Sequence, residues 1–412
     1  IVGAMVLGVL VGWILNTALP AAEAAAWASN LQIITDIFLR LIKMIIALLV
    51  FSTLTIGIAN LADGKAAGRI GAKAFAWFLL ASLVSLALGM ALSNLLQLGT
   101  NLGLPLPAAD ASTGLKTAAF TLKDFITHVV PKSPIEAMAN NEILQVLVFS
   151  IFFGSALGAL GESGKRLVGV VDELAQVMLR MTGSIMKMAP LAVFAAMASI
   201  VTTNGLGILV TFAKFMGGFY LGLACLWLLL IGAGFLALGP RVFRLVGLIR
   251  EPFLLAFSTA SSEAAYPKLL VALDKFGVER RISSFVLPMG YSFNLDGSMM
   301  YCTFAAVFIA QAYGIDLSLG TQMTMMAVLM LTSKGMAGVP RASLVVIAAT
   351  LNQFNIPEAG LVLLLSIDHF LDMARSATNV VGNSIATAVV AKWEGELTAP
   401  QTDKDLATAP LT

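Results

Sequence analysis

Residues 366–383 read SIDHFLDMARSATNVVGN: two aspartates, an arginine, a histidine and two asparagines, set between LVLLL at 361–365 and IATAVVA at 385–391. The flanks are apolar enough for lipid. A charged group at the bilayer centre costs at least ~2.5 kcal/mol even on the mildest scale, so this charge has to serve something. On a helix turning about 100° per residue, Asp368, Asp372, Arg375, Asn379 and Asn383 share one stripe about 80° wide. Such a stripe must face protein or a wet cavity. One reading is a self-satisfied ion network that glues helices together. The other is a binding site: Arg375 offers a planar fork to a carboxylate, Asp372 accepts hydrogen bonds from an ammonium, and Asp368 balances charge or holds a coupling cation. One surplus negative charge and two amide side chains favour the second.

The rest of the chain agrees with a bilayer setting. Of 412 residues, 58% are hydrophobic and 12% charged, about half the charge of an ordinary soluble domain. Several apolar runs exceed the ~20 residues that cross a membrane. A formal charge of +2 without a basic block gives no reason to expect a nucleic-acid partner. Cys225 and Cys302 lie in apolar runs and read as small buried residues. No cleavable signal peptide is visible. The opening IVGAMVLGVLVGWIL already reads as a span, so the native start is expected further upstream.

The reading is all-α: spans near 1–20, 33–60, 72–97, 142–160, 168–200, 206–238, 283–313 and 359–393. Two segments are too short to cross and have a polar or Gly/Pro tip: 241–280 around STASSE, and 319–357 around SKGMAGVPRAS. These predict two re-entrant hairpins, whose non-helical tips need shielding by protein or contact with water. Each precedes a long helix with polar residues in its middle, the sequence pointer to inverted repeats around a transport site. Basic residues (Lys65, Arg69, Lys73, Lys165, Arg166, Arg241, Arg244, Arg250, Lys275, Arg280, Arg281 and Lys392) place both termini in the cytoplasm. The polar stretch from 395 to 412 reads as a disordered tail.

Three further tips carry chemistry. YSFNLDGS at 291–298 places Asn294, Asp296, Gly297 and Ser298 inside an apolar span. Asn and Gly favour unwinding there, and freed carbonyls with the Asp296 carboxylate would make a hard oxygen site for Na⁺ or a proton. Ser258, Thr259, Ser261 and Ser262 form the first hairpin tip, where hydroxyls and backbone N–H groups suit a carboxylate. Glu263 beside them is a candidate proton carrier, or a gate partner for Arg341 on the second tip.

Together, STASSE, GYSFNLDGS, GMAGVP and DMARSATNVVGN, in this order and spacing, resemble the dicarboxylate/amino acid:cation symporter family. The likeness runs from MVLGVLVGW to VVAKWEGEL and looks closest to the bacterial proton/glutamate branch. It implies a multi-pass homotrimer in the bacterial inner membrane with an elevator fold. Residues 1–70 and 98–204 would form a fixed scaffold, and 71–97 and 205–394 a moving transport domain. By motif position it implies that Arg375, with Ser298 nearby, binds the substrate side-chain carboxylate. Asp372 and the Val339 backbone would hold the amino group, Asn379 and Ser262 the α-carboxylate, with Ser261, Ser343 and Ser376 in the same pocket. Gly338, Pro340 and Arg341 would belong to the gate, and Asp296, Asp368, Asn294, Asn383 and Glu263 to the coupling ion or proton. Transporters of C4-dicarboxylates in the family lack the aspartate matched by Asp372, so its presence implies an acidic amino acid.

Two departures from the sodium-coupled relatives imply H⁺ as the coupling ion. Asn383 stands where they carry an aspartate, and Phe78 and Ala81 stand where a second sodium site uses hydroxyls, leaving only Ser82. Na⁺ held through Asp296 and Asn294 stays open, as does a C4-dicarboxylate substrate. Arg341 departs from the usual small residue. No cofactor is expected. An intramembrane hydrolase would need a framed nucleophile or a metal-ligand cluster, and the sequence offers neither. A channel is a third reading: substrate-stimulated ion leak without counterflow would mark it, and exchange of labelled for unlabelled substrate would mark a carrier.

Overall fold

The computed structural model describes residues 2–59, 64–100, 129–206, 212–333, 342–365 and 367–399. Among them every named element is helical, and the single β pairing is an isolated bridge between Val278 and Leu397. In chain order the first helices are α1 (Val2–Ala18), α2 (Ala21–Ala59), α3 (Gly64–Leu96), α4 (Pro134–Ala139), α5 (Ile143–Ala159), α6 (Lys165–Ile185), α7 (Ala189–Asn204), α8 (Ala213–Leu238) and α9 (Arg241–Leu248). Five helical stretches among the described residues are long and apolar enough to cross a membrane: Ala21–Ala59, Gly68–Leu96, Gly161–Asn204, Ala213–Leu238 and Arg280–Ala312. Five of the eight expected spans are thus met by length and composition alone.

Two of these differ from their sequence reading. Helix α2 begins at Ala21, not near 33, because AAEAAAWASN is alanine-rich and carries strong helix propensity beyond the apolar run. The fifth expected span divides. Helix α6 is amphipathic and buries one stripe, Val171, Ala175, Met178, Thr182 and Ile185. A 3₁₀ turn at Met186–Met188 follows, and α7 restarts with Pro190 in its first turn, where a missing N–H costs nothing.

Of the two interruptions predicted in the C-terminal half, the first is present, and the second falls on residues 334–341, outside the described residues. Helices α10 (Arg250–Thr259) and α11 (Tyr266–Phe276) are the arms of the first. Ala260, with φ +49, takes the left-handed conformation that closes α10, and a 3₁₀ turn at Glu263–Ala265 leads into α11. Helices α14 (Leu319–Thr332) and α15 (Ala342–Gln353) are the arms of the second. Its tip, with Gly338, Val339, Pro340 and Arg341, lies outside the described residues. At 1.5 Å per residue each arm is shorter than the ~30 Å hydrocarbon core.

The seventh expected span is broken in its middle, as its Asn-Leu-Asp-Gly predicts: α12 (Arg280–Phe293) stops at Asn294 and α13 (Asp296–Ala312) restarts two residues on. The eighth is corrected. It is not one helix over 359–393 but a short α16 (Leu361–Leu365) and then α17 (Asp368–Glu394). Asp368 therefore sits in the first turn of α17, where unpaired backbone N–H groups and the positive helix end favour a carboxylate.

The helices pack in two groups. In one, α2 lies against α5, α6 and α7, and α1 lies along α7. In the other, α13 runs against α3, and α17 is surrounded by α8, α10, α12 and α13. The groups meet where α12 touches α2 and α5, where α10 touches α7, and where the Glu263–Ala265 turn touches α2. The chain after α17 was expected to be unstructured from 395; its first residues are instead tied down. Thr398 N–H donates to Gly277 O at 2.8 Å and Glu279 N–H to Glu396 O at 3.2 Å, while Glu396 pairs with Arg281. Residues 400–412 lie outside the described residues.

Candidate substrate and ion site

The charged stripe of α17 closes on itself in part. Arg375 Nη2 lies 3.1 Å from Asp368 Oδ1 and 2.9 Å from Asp372 Oδ1, and Nε adds a 3.3 Å bond to the same Asp372 oxygen. The self-pairing reading is therefore right about who neighbours whom. It does not account for the whole cluster. One guanidinium faces two carboxylates, Arg375 Nη1 is buried with no hydrogen-bond partner among the described residues, and the Asp372 side chain stays 33% exposed while Arg375 is 1% exposed. A buried arginine with an unpartnered fork nitrogen beside a partly accessible carboxylate leaves one donor and one acceptor for a further group.

The ring of Tyr301, one turn into α13, is the floor of this cluster. Arg375 Cζ lies 4.1 Å from its centroid, and its hydroxyl donates to Asp368 Oδ1 at 3.5 Å. Phe219 packs edge-on against the same ring, so the ring cannot turn away without disturbing α8.

One helical turn further along α17, Asn379 crosses to α13. Its Oδ1 accepts from Gly297 N–H at 3.0 Å, a backbone donor freed by the helix break, and its Nδ2 donates to Ser298 Oγ at 3.4 Å. Ser298, expected near Arg375, and Asn379, expected with Ser262, are thus in contact with each other. Ser376 is buried on the same helix.

Asp296, Asn294 and Asn383 form a second buried cluster. Asn294 Nδ2 reaches Asp296 Oδ2 at 3.1 Å and Asn383 Oδ1 at 3.2 Å, and Ser85 Oγ from α3 approaches Asp296 Oδ1 at 3.5 Å. The fit depends on two glycines. A Cβ on Gly382 would collide with the Asp296 carboxylate, and one on Gly290 with the Asn383 amide. Asn294 Oδ1 and Asn383 Nδ2 are buried without a hydrogen-bond partner among the described residues. Asn294 Oδ1 and the Asp296 carboxylate suit a small hard cation, but Asn383 gives an amide where a second carboxylate would bind it harder. Ser82 Oγ donates to Phe293 O at 3.3 Å, occupying a carbonyl released by the break, while Phe78 and Ala81 bring only apolar surface.

The hairpin tips divide. The hydroxyls of Ser258 and Thr259 bond back to Leu254 O and Leu255 O at 2.7 Å each. Ser261 Oγ accepts from Ala264 N–H at 3.3 Å and shapes the turn; Ser262 provides the carbonyl for Ala265 N–H. Ala260 packs with Phe370 and Met373, which sets the tip beside the first half of α17. Glu263 lies within electrostatic reach of Lys43 on α2 and of Tyr291. Its expected partner Arg341 lies outside the described residues, as do Gly338, Val339 and Pro340; Ser343 is buried in the first turn of α15. Sequence reading missed Tyr301 and Ser85. The signal for Ser85 was its place one turn after Ser82; Tyr301 had none, because its role arises only where α13 crosses α17.

A helix broken at mid-length, an interrupted helix pair beside it and a buried ion cluster within apolar helices are features of a membrane transporter. The model of the sodium:dicarboxylate symporter family matches residues 1–393, and the chain belongs to that family, one of ion-coupled transporters and not of enzymes. Among curated relatives, the "C4-dicarboxylate transport protein" of Laribacter hongkongensis is 42% identical over 88% of this chain and 83% of its own. The protein of the same description from Pseudomonas savastanoi pv. phaseolicola is 41% identical over 90% and 82%. The "Proton/sodium-glutamate symport protein" of Bacillus subtilis is 37% identical over 95% and 91%.

Proposed function

We propose that this chain is a secondary active symporter that imports glutamate or aspartate with protons across a bacterial inner membrane. The observation that carries the substrate reading is the third-exposed Asp372 carboxylate beside the open Nη1 edge of Arg375. A substrate with an ammonium and a side-chain carboxylate satisfies both at once; a C4-dicarboxylate offers nothing that Asp372 can accept from. Ser298 assists Arg375 at the side-chain carboxylate, Asn379 and Ser262 hold the α-carboxylate, the Val339 backbone joins Asp372 at the amino group, and Ser261, Ser376 and Ser343 complete the pocket.

Proton coupling is supported by the amide at Asn383 and by the apolar Phe78 and Ala81, which leave few strong ligands for Na⁺. Asp296, Asp368 and Glu263 are the groups to carry the proton. The two packing groups support an elevator movement, with α1, α2 and α4–α7 as the fixed scaffold of a homotrimer. The remaining helices and both hairpins travel, and the second tip, with Gly338, Pro340 and Arg341, is the gate.

A second reading, C4-dicarboxylate import, is favoured by the descriptions of the Laribacter and Pseudomonas relatives and by the contact that already occupies one Asp372 oxygen. Uptake into proteoliposomes separates the two. Labelled glutamate or aspartate should accumulate when the outside is acidified, and excess succinate should compete poorly. Accumulation of succinate alone, or stimulation by a Na⁺ gradient with none by acid, would reverse the corresponding half of the proposal.

A further inference from the structure

Between the two packing groups, at the end of α2 that carries Gly57, lies a small cavity of about 20 Å³ lined by Thr53, Gly57, Asp172, Arg280 and Arg281 among others. Asp172 comes from α6 and Arg280 from the first turn of α12, so the cavity is shared by both groups. Each brings unfinished polar chemistry to it. Arg280 pairs with Asp274 through Nη2 alone, and its Nε and Nη1 are buried without a hydrogen-bond partner among the described residues. Asp172 Oδ2 accepts from Gln176 at 2.9 Å, while its Oδ1 is buried and likewise unpartnered. The neighbouring Arg281 is already engaged by Glu396.

Two guanidinium donors and one carboxylate acceptor thus face a common space. Leaving buried charged groups unsatisfied is costly. A cavity needs only ~10–15 Å³ to hold one water, which asks for two to four polar partners. Size and partners both match a single bridging water.

We propose that Asp172 and Arg280 form a water-bridged ion pair across the interface, and that Asp172 is a positioning residue that holds the travelling group at the end of its stroke seen here. The proposal rests on the elevator reading. A contact between α6 and α12 exists at one end of such a stroke and must break before the other is reached. Arg280 lies at the opposite end of α12 from the break before Asp296, and neither Asp296 nor Arg375 lines the cavity, so the pair sets how fast the carrier turns over without touching the substrate.

The test measures two quantities in the full-length protein: equilibrium binding of glutamate in detergent, and exchange of labelled for unlabelled glutamate in proteoliposomes, with succinate in its place if that is the substrate. Asp172→Asn should leave binding within two-fold of the parent and raise exchange about two- to five-fold, the size expected of a partly solvated pair. On an Arg280→Gln background the same substitution should change nothing further. Exchange unchanged by Asp172→Asn, or raised equally in both backgrounds, overturns the pair. A second variant tests the movement on its own. Asp172→Cys with Arg280→Cys, bridged by a bifunctional methanethiosulfonate, should stop exchange reversibly and spare binding. Bridging that leaves exchange at full speed removes the elevator premise, and failure to bridge with any reagent length removes the juxtaposition.

Discussion

Arg375 and Tyr301 are stacked: the guanidinium carbon lies 4.1 Å from the ring centroid, and the tyrosine hydroxyl reaches the same Asp368 carboxylate that the arginine holds. An aromatic face, a cation and a carboxylate fix one another in an interior where each alone would be costly. The arginine is therefore held in one orientation, and in the proposed substrate role this lowers the ordering cost of binding.

Removing the ring should cost more than removing the hydroxyl. Desolvated cation–ring contacts contribute about 0.5–2 kcal/mol. Tyr301→Leu should weaken substrate binding by about two- to thirty-fold, whereas Tyr301→Phe should stay within about three-fold. Titration calorimetry of the purified variants checks the order; equal losses would show that the hydroxyl does the positioning.

Asp372→Asn should discriminate between substrates. A hydrogen bond to a charged group is worth about 1.5–3 kcal/mol, so glutamate affinity should fall by roughly ten- to a hundred-fold. Succinate, which has no ammonium, should be unaffected or gain from the loss of a repelling charge. Competition against labelled substrate reads this directly, and a parallel loss for both acids would remove the ammonium role.

Asn383→Asp should make uptake respond to sodium. The substitution adds a carboxylate beside Asn294 and Asp296, turning a cluster of amides around one anion into a harder oxygen cage. Uptake at fixed pH under an inward Na⁺ gradient should rise several-fold over the parent. A variant that binds substrate normally and ignores Na⁺ would separate this cluster from the coupling ion.

Gly382→Ala should cost stability. The added methyl meets the Asp296 carboxylate at a buried crossing, an overpacking change worth about 1–3 kcal/mol or more. Gly232→Ala on α8, where nothing lies within 4 Å of the new atom, is the control. Thermal melting in detergent should drop for the first and hold for the second.

The parts legible in the sequence were those written along one helix. The stripe from Asp368 to Asn383 follows from helical period and the cost of charge in lipid, and the break at Asn294 from the residues that permit it. Pairings between distant segments were not legible. Asn379 with Gly297, Ser85 with Asp296, and Tyr301 beneath Arg375 depend on where α3 and α13 cross α17, which no local pattern records. The restart at Asp368 was hidden because LVLLL reads as continuous helix. The division of the fifth span was hidden because Met186, Lys187 and Met188, which form the 3₁₀ turn, are all good helix formers and give no breaker signal.

The bridge between Val278 and Leu397 bears on how the protein can be handled. A fluorescent reporter attached straight after Glu394 would displace Glu396 from Arg281 and Thr398 from Gly277, loosening the base of the first hairpin. Attached a few residues beyond Ala399, the same reporter would leave that fastening intact.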